Sequence, residues 1–385
     1  MAWNWQDPAW PVFHYDETRI QPLDTFLVQD FGYLSGSFAH LQGEEQMRIV
    51  VDLMATEAIK TSEIEGETLN RDSVQASLRR SFGLQSELQH IPPAEQGIAH
   101  MMLDLHKQYD QPLSHEMLWE WHRQLMHERT DINNKGAYRT HPEPMQVVSG
   151  KIYAPNVHFE APPSAQMMDE MSRFIEWFNA TIPTGDKPLP LLVRAGIAHL
   201  YFVSIHPFED GNGRIARALT EKVIAQFSRR PALLSLSYAI EKHKKAYYAE
   251  LERANKGLAI TEWLVYFAET LRQAQQETQH YLTLLIQKTH YYDRLQGQLN
   301  TRQQKVIGRL FAAGTEGFVG GLSAKNYISL AKTSPATATR DLQDLVRKHA
   351  LRVEGKLKST RYYLNLEPLS VNGYPSYFME EDHVR

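Results

Sequence analysis

The sequence predicts a mainly α-helical protein. Apolar residues recur at helical spacing along most of its 385 residues, alternation typical of β-strands is confined to 145–159 and 351–366, and proline or glycine separates successive helical runs. A chain of this length favours two or three domains. We find no long internal repeat and no low-complexity tract.

The first hundred residues predict an irregular arm followed by helices. Residues 1–30 contain Trp3, Trp5 and Trp10, which we expect to dock the arm onto the body because exposed aromatic rings are costly in water. The apolar stripe from Val50 to Ile59 predicts a helix over about 31–63 that ends near Gly66. A second helix is predicted at 71–81, before a break at Pro92 and Pro93.

The central part of the chain predicts more helices and one β-hairpin. The hairpin covers about 145–159, with a turn at Ser149-Gly150. Pro207 ends the helix that precedes it, because proline cannot continue a helix interior. The predicted helices lie at about 94–110, 114–129, 164–180, 188–205, 212–227, 240–255 and 260–295.

The C-terminal part predicts three short helices and then two strands. Helices are expected near 301–311, 322–330 and 335–348, and strand–turn–strand alternation surrounds Gly355 within 351–366. Helix, helix, helix and a two-stranded wing is the order of a winged helix. This part is also basic, through Lys325, Arg340, Arg347, Lys348, Arg352, Lys356, Lys358 and Arg361.

Composition excludes several classes of site. The chain has no cysteine, which excludes disulfides, thiolate metal sites and a cysteine nucleophile. The net charge of -4 gives no global field that attracts nucleic acid, although a local basic patch stays open. The first residues lack a basic start with an apolar run, and no stretch approaches the ~20 apolar residues of a membrane span. We therefore expect a cytoplasmic protein without membrane contact.

The segment His206-Pro-Phe-Glu-Asp-Gly-Asn-Gly-Arg-Ile-Ala-Arg217 concentrates residues suited to phosphate chemistry. Gly211, Asn212 and Gly213 open a predicted helix, where free backbone N–H groups and the positive end of the helix dipole favour an anion. Arg214 and Arg217 project from one helical face beside them, as expected for a polyphosphate site.

Two further residues of this segment complete a reaction centre. Asp210 offers a hard oxygen ligand next to the anion site, which suits Mg²⁺ bridging a carboxylate and substrate phosphates. His206 has an ordinary pKa near ~6.5, so it suits proton abstraction from a hydroxyl. Phe208 has no polar role and is expected to anchor the loop in the core.

The segment resembles the Fic family signature His-x-Phe-x-(Asp/Glu)-Gly-Asn-Gly-Arg-x-x-Arg at every specified position. The resemblance implies a helical core that binds ATP and Mg²⁺, with His206 as base for a Ser, Thr or Tyr hydroxyl of a target protein. It implies that Asp210 holds the metal, Arg214 grips the phosphates and Arg217 holds the γ-phosphate. The implied ATP-binding set is Gly211, Asn212, Gly213, Arg214, Ile215, Ala216, Arg217 and, where relatives often place asparagine, His243.

The same resemblance bears on the reaction type. Relatives that transfer phosphate or phosphocholine tend to carry other residues at the positions of Gly211 or Gly213, so the intact Gly-Asn-Gly points to AMP transfer.

A second stretch, Thr61-Ser-Glu-Ile-Glu65-Gly66, resembles the family's inhibitory pattern (Ser/Thr)-x-x-x-Glu-(Gly/Asn). The resemblance implies that Glu65 pairs with Arg217 and keeps that arginine from ATP. Glu63 and Glu67 lie outside the pattern. Without the resemblance, the stretch would be an acidic helix end.

The resemblance also implies a domain layout. Residues 1–95 would carry the inhibitory helix, 96–275 the Fic core, 276–300 a helical linker and 301–366 a winged helix. The 145–159 hairpin, preceded by Gly136-Ala-Tyr-Arg139, resembles the flap that pins a target peptide by strand addition.

Two alternatives to AMP transfer stay open at this point. One is the reverse reaction, in which Glu65 positions water to remove AMP from a protein. The other is a DNA-binding regulator with a vestigial Fic core, for which the basic tail would contact DNA. Self-modification and a homodimer are further options that the sequence does not decide.

Overall fold

The computed structural model describes residues 3–39, 43–84, 90–151, 154–232, 234–314 and 317–366. Its contacts divide the chain into two compact units, Met1–Thr278 and Gln279–Arg385. The predicted N-terminal region and core share one apolar cluster, which extends from Trp10 to Ala274. Within the described ranges, no helix combines the length and apolarity needed to cross a bilayer.

The predicted mainly helical class is confirmed. The first unit contains α1 (Glu17–Ala39), α2 (Gly43–Ile64), α3 (Arg71–Ser81), α4 (Pro93–Lys107), α5 (His115–Leu125), β1 (Gln146–Lys151), β2 (Ala154–Glu160), α6 (Met167–Ala180), α7 (Leu191–Ile205), α8 (Asn212–Ser228), α9 (Leu236–Lys242) and α10 (Lys244–Ala254). α11 (Thr261–Arg294) begins in this unit and ends in the second.

α7 lies at the centre of the first unit. Every residue from Leu191 to Ile205 is buried, as expected for a helix with few polar residues on any face. α8 packs along it and is buried from Arg214 to Ala225. The turn between these two helices therefore lies on a rigid support, and this turn contains the motif of residues 206–213.

The N-terminal arm is shorter than predicted. Residues 1–30 were expected to be irregular, but α1 begins at Glu17, where the carboxylate of Asp16 accepts a hydrogen bond from the backbone N–H of Thr18 at 3.0 Å. Ile20, Leu27 and Phe31 are buried along one face of α1, and this packing offsets the hydrogen bond lost at Pro22. The expected docking of the tryptophans is confirmed, because Trp10 is buried and donates to Glu170.

The hairpin forms, but its turn is not at Ser149-Gly150. Both residues belong to β1, where they pair with Asn156 and Pro155 of β2. The antiparallel pairing continues to Lys151 and Ala154, which leaves a two-residue connection, the commonest hairpin length. Residues 152 and 153 lie outside the described residues.

The single helix predicted at 240–255 is two helices. α9 begins four residues earlier, at Leu236, and the chain leaves helical geometry at His243, with φ −122° and ψ 29°. The N-terminus of α9 is held from α2, because the carboxylate of Glu57 accepts hydrogen bonds from the backbone N–H and the hydroxyl of Ser237. The start of α9 therefore depends on a contact with a distant helix, and the spacing of apolar residues after residue 240 could not predict it.

The second unit has the predicted order of elements. It contains α12 (Thr301–Phe311), α13 (Ala324–Ala331), α14 (Pro335–Arg347), β3 (Leu351–Glu354) and β4 (Arg361–Leu364). β3 and β4 pair antiparallel, and Leu322 bridges to Tyr362. Asp341 on α14 accepts from Arg302 on α12 at 2.9 Å and from the hydroxyl of Tyr327 on α13 at 3.0 Å, so one carboxylate connects the three helices.

Candidate active site

His206 is held where α7 ends. Its backbone is left-handed, with φ 51° and ψ 59°, a conformation that a non-glycine residue adopts only when its surroundings enforce it. Arg139 supplies this restraint, because its buried Nε donates to the carbonyl of His206 at 2.8 Å and its backbone N–H donates to Pro207 at 2.9 Å. Pro207 stops α7, as predicted.

The imidazole of His206 is set up as a neutral base. Its Nδ1 lies 3.3 Å from the carbonyl of Val203, so Nδ1–H donates there and Nε2 keeps its lone pair. Burial, with the Arg139 guanidinium as a second cause, lowers the pKa of His206 to about 4. The ring is therefore unprotonated at neutral pH and available to accept a proton.

The loop from Phe208 to Asn212 is braced by its own residues. Phe208 is fully buried and stacks on His122 with ring centroids 4.1 Å apart, which confirms its expected anchoring role. The side-chain amide of Asn212 accepts from the N–H of Phe208 at 3.0 Å and donates to its carbonyl at 2.8 Å. Both ends of this amide are used inside the loop, so the backbone N–H is what Asn212 can offer to a ligand.

Gly211 and the first residues of α8 form a concave backbone surface. Gly211 caps α8 with φ 80°, and a Cβ at this position would lie 2.8 Å from the side chain of Met126. Since the first N–H groups of a helix have no partner within it, Asn212 and Gly213 present theirs outwards. This geometry suits a bound anion.

Two buried arginines face this surface with unused donors. The side chains of Arg214 and Arg217 are 3% and 2% exposed. Among the residues that the structure describes, Nε and NH2 of Arg214 and NH1 of Arg217 have no hydrogen-bond partner. Buried donors that lack a partner are costly, so these guanidinium groups are suited to an anionic ligand with several oxygens.

Asp210 lies between the loop and two arginines. One carboxylate oxygen accepts from the N–H of Gly211 at 2.5 Å, and the other lies 2.7 Å from Arg129. Arg214 is 3.5 Å away. The described residues contain no cluster of three metal-ligating side chains. A single carboxylate beside a phosphate site nevertheless fits Mg²⁺, which keeps most of its ligands as water and substrate phosphates.

Glu65 contacts Arg217, the arginine that the resemblance assigns to it. Its carboxylate accepts from NH2 of Arg217 at 2.7 Å. Thr61, four residues earlier, also accepts from this guanidinium, through its hydroxyl at 2.6 Å and its carbonyl at 2.9 Å. A Cβ on Gly213 would lie 2.2 Å from the Glu65 carboxylate, so a larger residue here would require that side chain to shift.

Glu67 and Arg129 are site residues that the sequence did not reveal. The carboxylate of Glu67 accepts from NH1 of Arg214 at 2.6 Å and lies 3.5 Å from Arg129. Neither residue belongs to a motif, and the contact between them joins positions 62 residues apart. The sequence could have indicated Glu67 in one way. Glu65 and Glu67 flank Gly66, and a glycine turn at a helix end can direct both side chains towards one surface.

A cavity of about 690 Å³ lies beside the motif, between the β1–β2 hairpin and α10. His206, Gly213, Arg217 and Glu65 line it. The hairpin contributes Val147, Val148, Ser149, His158 and Phe159, and α10 contributes Lys245, Tyr247, Tyr248, Ala249, Leu251 and Glu252.

A series of side-chain contacts joins the hairpin to α10. Ser149 and Nε2 of His158 lie 2.6 Å apart, and Nδ1 of His158 lies 2.8 Å from Glu252. This link therefore joins both strands of the hairpin to α10, beside the cavity.

Of the expected ATP-binding set, Gly213 and Arg217 line this cavity, and the other six residues do not: Gly211, Asn212, Arg214, Ile215, Ala216 and His243. Ile215 and Ala216 are fully buried in the apolar core, where they support α8. His243 is exposed at the junction of α9 and α10. Lys245, Tyr247 and Tyr248 line the cavity instead. Tyr247 is also buried, and its hydroxyl lies 2.7 Å from His199.

Comparison with known proteins places the motif in a family. The model of the Fic/DOC family matches residues 112–224, and a model described as a domain of unknown function, DUF4172, matches residues 3–84. Protein adenylyltransferase fic-1 of Caenorhabditis elegans is 26% identical over 244 residues, which cover 62% of this chain and 44% of that protein. Its counterpart in Caenorhabditis briggsae is 25% identical over 243 residues, with the same shares.

A shorter match is more similar. Protein adenylyltransferase Fic of Culex quinquefasciatus is 36% identical over 87 residues, which cover 23% of this chain and 16% of that protein. This chain therefore matches less than half of the length of each of these relatives.

Solved structures share the fold. A Fic family protein from Desulfovibrio desulfuricans G20 matches with a TM-score of 0.51 at 20% identity, over 89% of this chain and 96% of that one. A Fic domain containing signaling protein from Bacteroides thetaiotaomicron matches with a TM-score of 0.50 at 19% identity, over 70% of this chain and 97% of that one. Residues 112–224 of this chain are therefore a Fic domain of the Fic/DOC family.

Proposed function

We propose that this chain is a protein adenylyltransferase, which transfers AMP from ATP to a Ser, Thr or Tyr hydroxyl of a protein. The observation that carries the proposal is that a neutral His206 occurs in one site with buried arginine donors that have no hydrogen-bond partner among the described residues. A polyphosphate would satisfy Nε and NH2 of Arg214 and NH1 of Arg217, and the relatives named protein adenylyltransferase share this family.

The proposed reaction assigns one task to each group. Nε2 of His206 takes the proton of the target hydroxyl, whose oxygen attacks the α-phosphorus of ATP. The bond between the α-phosphorus and the bridging oxygen to the β-phosphate breaks, and pyrophosphate leaves. Arg214 and the backbone of residues 211–213 hold the α- and β-phosphates, and Arg217 holds the γ-phosphate, so that positioning and charge neutralisation supply most of the catalysis.

Mg²⁺ would be held by Asp210 together with the phosphates, where it would neutralise charge that develops on the leaving pyrophosphate. For this, Asp210 must exchange the guanidinium of Arg129, now 2.7 Å away, for the cation.

The β1–β2 hairpin is proposed to hold the target. Val147, Val148 and Val157 are exposed on it beside the cavity, and unpaired strand edges accept an added peptide strand. The link from Ser149 through His158 to Glu252 supports the hairpin in this position.

Glu65 is proposed to inhibit transfer by occupying Arg217. One guanidinium cannot satisfy a carboxylate at 2.7 Å and a γ-phosphate equally well. Because Arg217 is almost fully buried, its partner must be charged and well placed, and Glu65 supplies such a partner while no nucleotide is bound.

For the second unit we propose a winged helix over residues 301–366. The order α12, α13, α14, β3, β4 and the bridge from Leu322 to Tyr362 support this assignment. The layout of 1–95, 96–275 and 276–300 is part of the same proposal.

The proposed reaction is tested by which phosphate of ATP is incorporated into protein. The purified chain and a cell lysate are incubated with ATP labelled in the α- or the γ-phosphate, and labelled proteins are identified by mass spectrometry. We expect label only from the α-position. His206→Ala should reduce it by ~100-fold or more, the usual contribution of a general base. Incorporation from the γ-position would indicate phosphate transfer, and release of free AMP from pre-modified protein would indicate the reverse reaction.

A further inference from the structure

We propose that Glu67 is a second inhibitory carboxylate, which occupies Arg214 as Glu65 occupies Arg217. This inference rests on the nucleotide site of the proposed function and concerns its regulation. It is carried by a contact outside both motifs, the 2.6 Å pair between Glu67 and Arg214.

The turn after α2 explains why two carboxylates reach the same surface. α2 ends at Ile64, and Gly66 adopts φ 84°, which favours glycine. The backbone N–H groups of Glu65 and Glu67 both donate to the carbonyl of Ser62 at 3.0 Å. The chain therefore folds back on the helix end, and the side chains of Glu65 and Glu67 both point to α8.

Each carboxylate has its own arginine. Glu65 contacts NH2 of Arg217, and Glu67 contacts NH1 of Arg214, whose side chain is only 3% exposed. Charge-assisted pairs of this kind are stronger than neutral hydrogen bonds, particularly where one partner is removed from water. An incoming nucleotide must displace both contacts, and displacement of Glu65 alone leaves Arg214 occupied.

Glu67 also acts on the candidate metal ligand. It lies 3.5 Å from Arg129, which in turn lies 2.7 Å from Asp210. Asp131 also holds the Arg129 guanidinium, through two hydrogen bonds of 2.8 Å. Loss of Glu67 therefore removes one of the three carboxylates that contact Arg129.

The two carboxylates therefore oppose different phosphates, and this separates their effects. Glu65 opposes the γ-phosphate, which ADP lacks. Glu67 opposes the α- and β-phosphates, which ADP and ATP share. A change at Glu65 should alter ATP affinity much more than ADP affinity, whereas a change at Glu67 should alter both by the same factor.

Calorimetric titration with Mg·ADP and Mg·ATP tests this on the full chain. The variants are Glu67→Gln, Glu65→Gln and the double variant. Glu63→Gln is the matched control, because Glu63 carries the same charge in the same turn but pairs with Lys60. We expect Glu67→Gln to tighten binding of both nucleotides by about tenfold, the size of one charge-assisted contact exchanged for a neutral one. Glu65→Gln should tighten ATP alone, and Glu63→Gln neither.

The double variant excludes an indirect effect. If Glu67 acts on Arg214 itself, adding Glu67→Gln to Glu65→Gln tightens ADP and ATP binding by the same further factor. Unchanged ADP affinity in Glu67→Gln, or a gain that disappears once Glu65 is replaced, would show that Glu67 only supports Glu65, and the inference would be wrong. Glu67→Ala repeats the test with the side chain removed. Because the readout is binding, its result is independent of whether AMP is transferred.

Discussion

At the residue scale, the pKa of His206 decides how the proposed base responds to pH. A base must be unprotonated to accept a proton, and burial together with Arg139 lowers the pKa of His206 from 6.5 to about 4. A histidine with the ordinary value would already be about nine-tenths protonated one unit below it, near pH 5.5.

We therefore expect kcat/KM for AMP transfer to stay nearly constant between about pH 8 and 5.5, because the free enzyme's base is unprotonated throughout this range. The measurement is the initial rate of α-label incorporation at subsaturating target and saturating Mg²⁺. A loss of about tenfold by pH 5.5, with an apparent pKa near 6.5, would show that His206 is not desolvated as described.

The sequence predicts the motif residues well and their partners poorly. His206, Asp210 and Arg217 were accessible because their chemistry is concentrated in twelve consecutive positions. Arg139 and Glu67 were not, since they act through contacts with residues 67 and 147 positions away. Asn212 and Ala216 belong to the motif, but their side chains do not face a ligand. The side chain of Asn212 braces the loop and that of Ala216 packs in the core.

At the element scale, a buried pair of carboxyl groups joins α2, which ends just before Glu65, to α8, which carries Arg214 and Arg217. Glu57 on α2 and Glu221 on α8 are both buried and hydrogen-bonded to each other. Burial raises the pKa of Glu57 from 4.5 to about 7, and burial with the neighbouring Glu57 raises the pKa of Glu221.

A raised folded-state pKa stabilises the protein fully below the unfolded value, near 4.5, and this contribution is lost as pH rises through about 7. We therefore expect this pair to lower Tm as pH rises from about 4.5 to about 8. Glu221→Gln should make that decrease shallower, because one of the two titrating groups is gone and the amide can donate to Glu57.

Differential scanning calorimetry across this range is the measurement. Buried His106, His122, His199 and His206 act in the opposite direction up to about pH 7.5, because burial lowers their pKa values to about 3 or 4 and they bind protons on unfolding. They are unchanged in Glu221→Gln, so the difference in Tm between parent and variant at each pH isolates the carboxyl pair. If the Tm of the parent and that of Glu221→Gln depend on pH in the same way, the pKa values of Glu57 and Glu221 are not raised as described.

The bounds of a helix were predicted correctly where local residues set them, and were missed where distant contacts do. α3 lies at the predicted residues 71–81, where Asn70 caps the helix through the N–H of Ser73, a local signal. The start of α1 and the break at His243 were missed. α1 depends on packing of Ile20 and Leu27 that outweighs Pro22, and α9 depends on Glu57 from a distant helix.

At the scale of the whole molecule, every described residue of the candidate site precedes residue 256. The cavity is lined from Glu65 to Asn255, and the second unit has its own apolar cluster around Val306, Ile307 and Leu345. We therefore expect a chain that ends at residue 300 to keep self-modification within about twofold of the full chain.

The measurement is α-label incorporation by both chains at matched concentration, with circular dichroism as the control for folding. A folded truncation that cannot modify itself would show that residues 301–366 contribute to the reaction. Reduced labelling of lysate proteins with intact self-modification would instead assign these residues to target choice.

The most direct test of the whole account is self-AMPylation after removal of Glu65. Glu65 is paired with Arg217 at 2.7 Å, so Glu65→Gly should free the γ-phosphate site and raise incorporation of α-labelled AMP by about tenfold or more. Glu63→Gly should match the parent, and Arg217→Ala should show no gain, because it removes the phosphate contact together with the inhibitory one. If Glu65→Gly binds ATP but is no more active than the parent, Glu65 is not inhibitory, and residues 61–66 are only an acidic helix end.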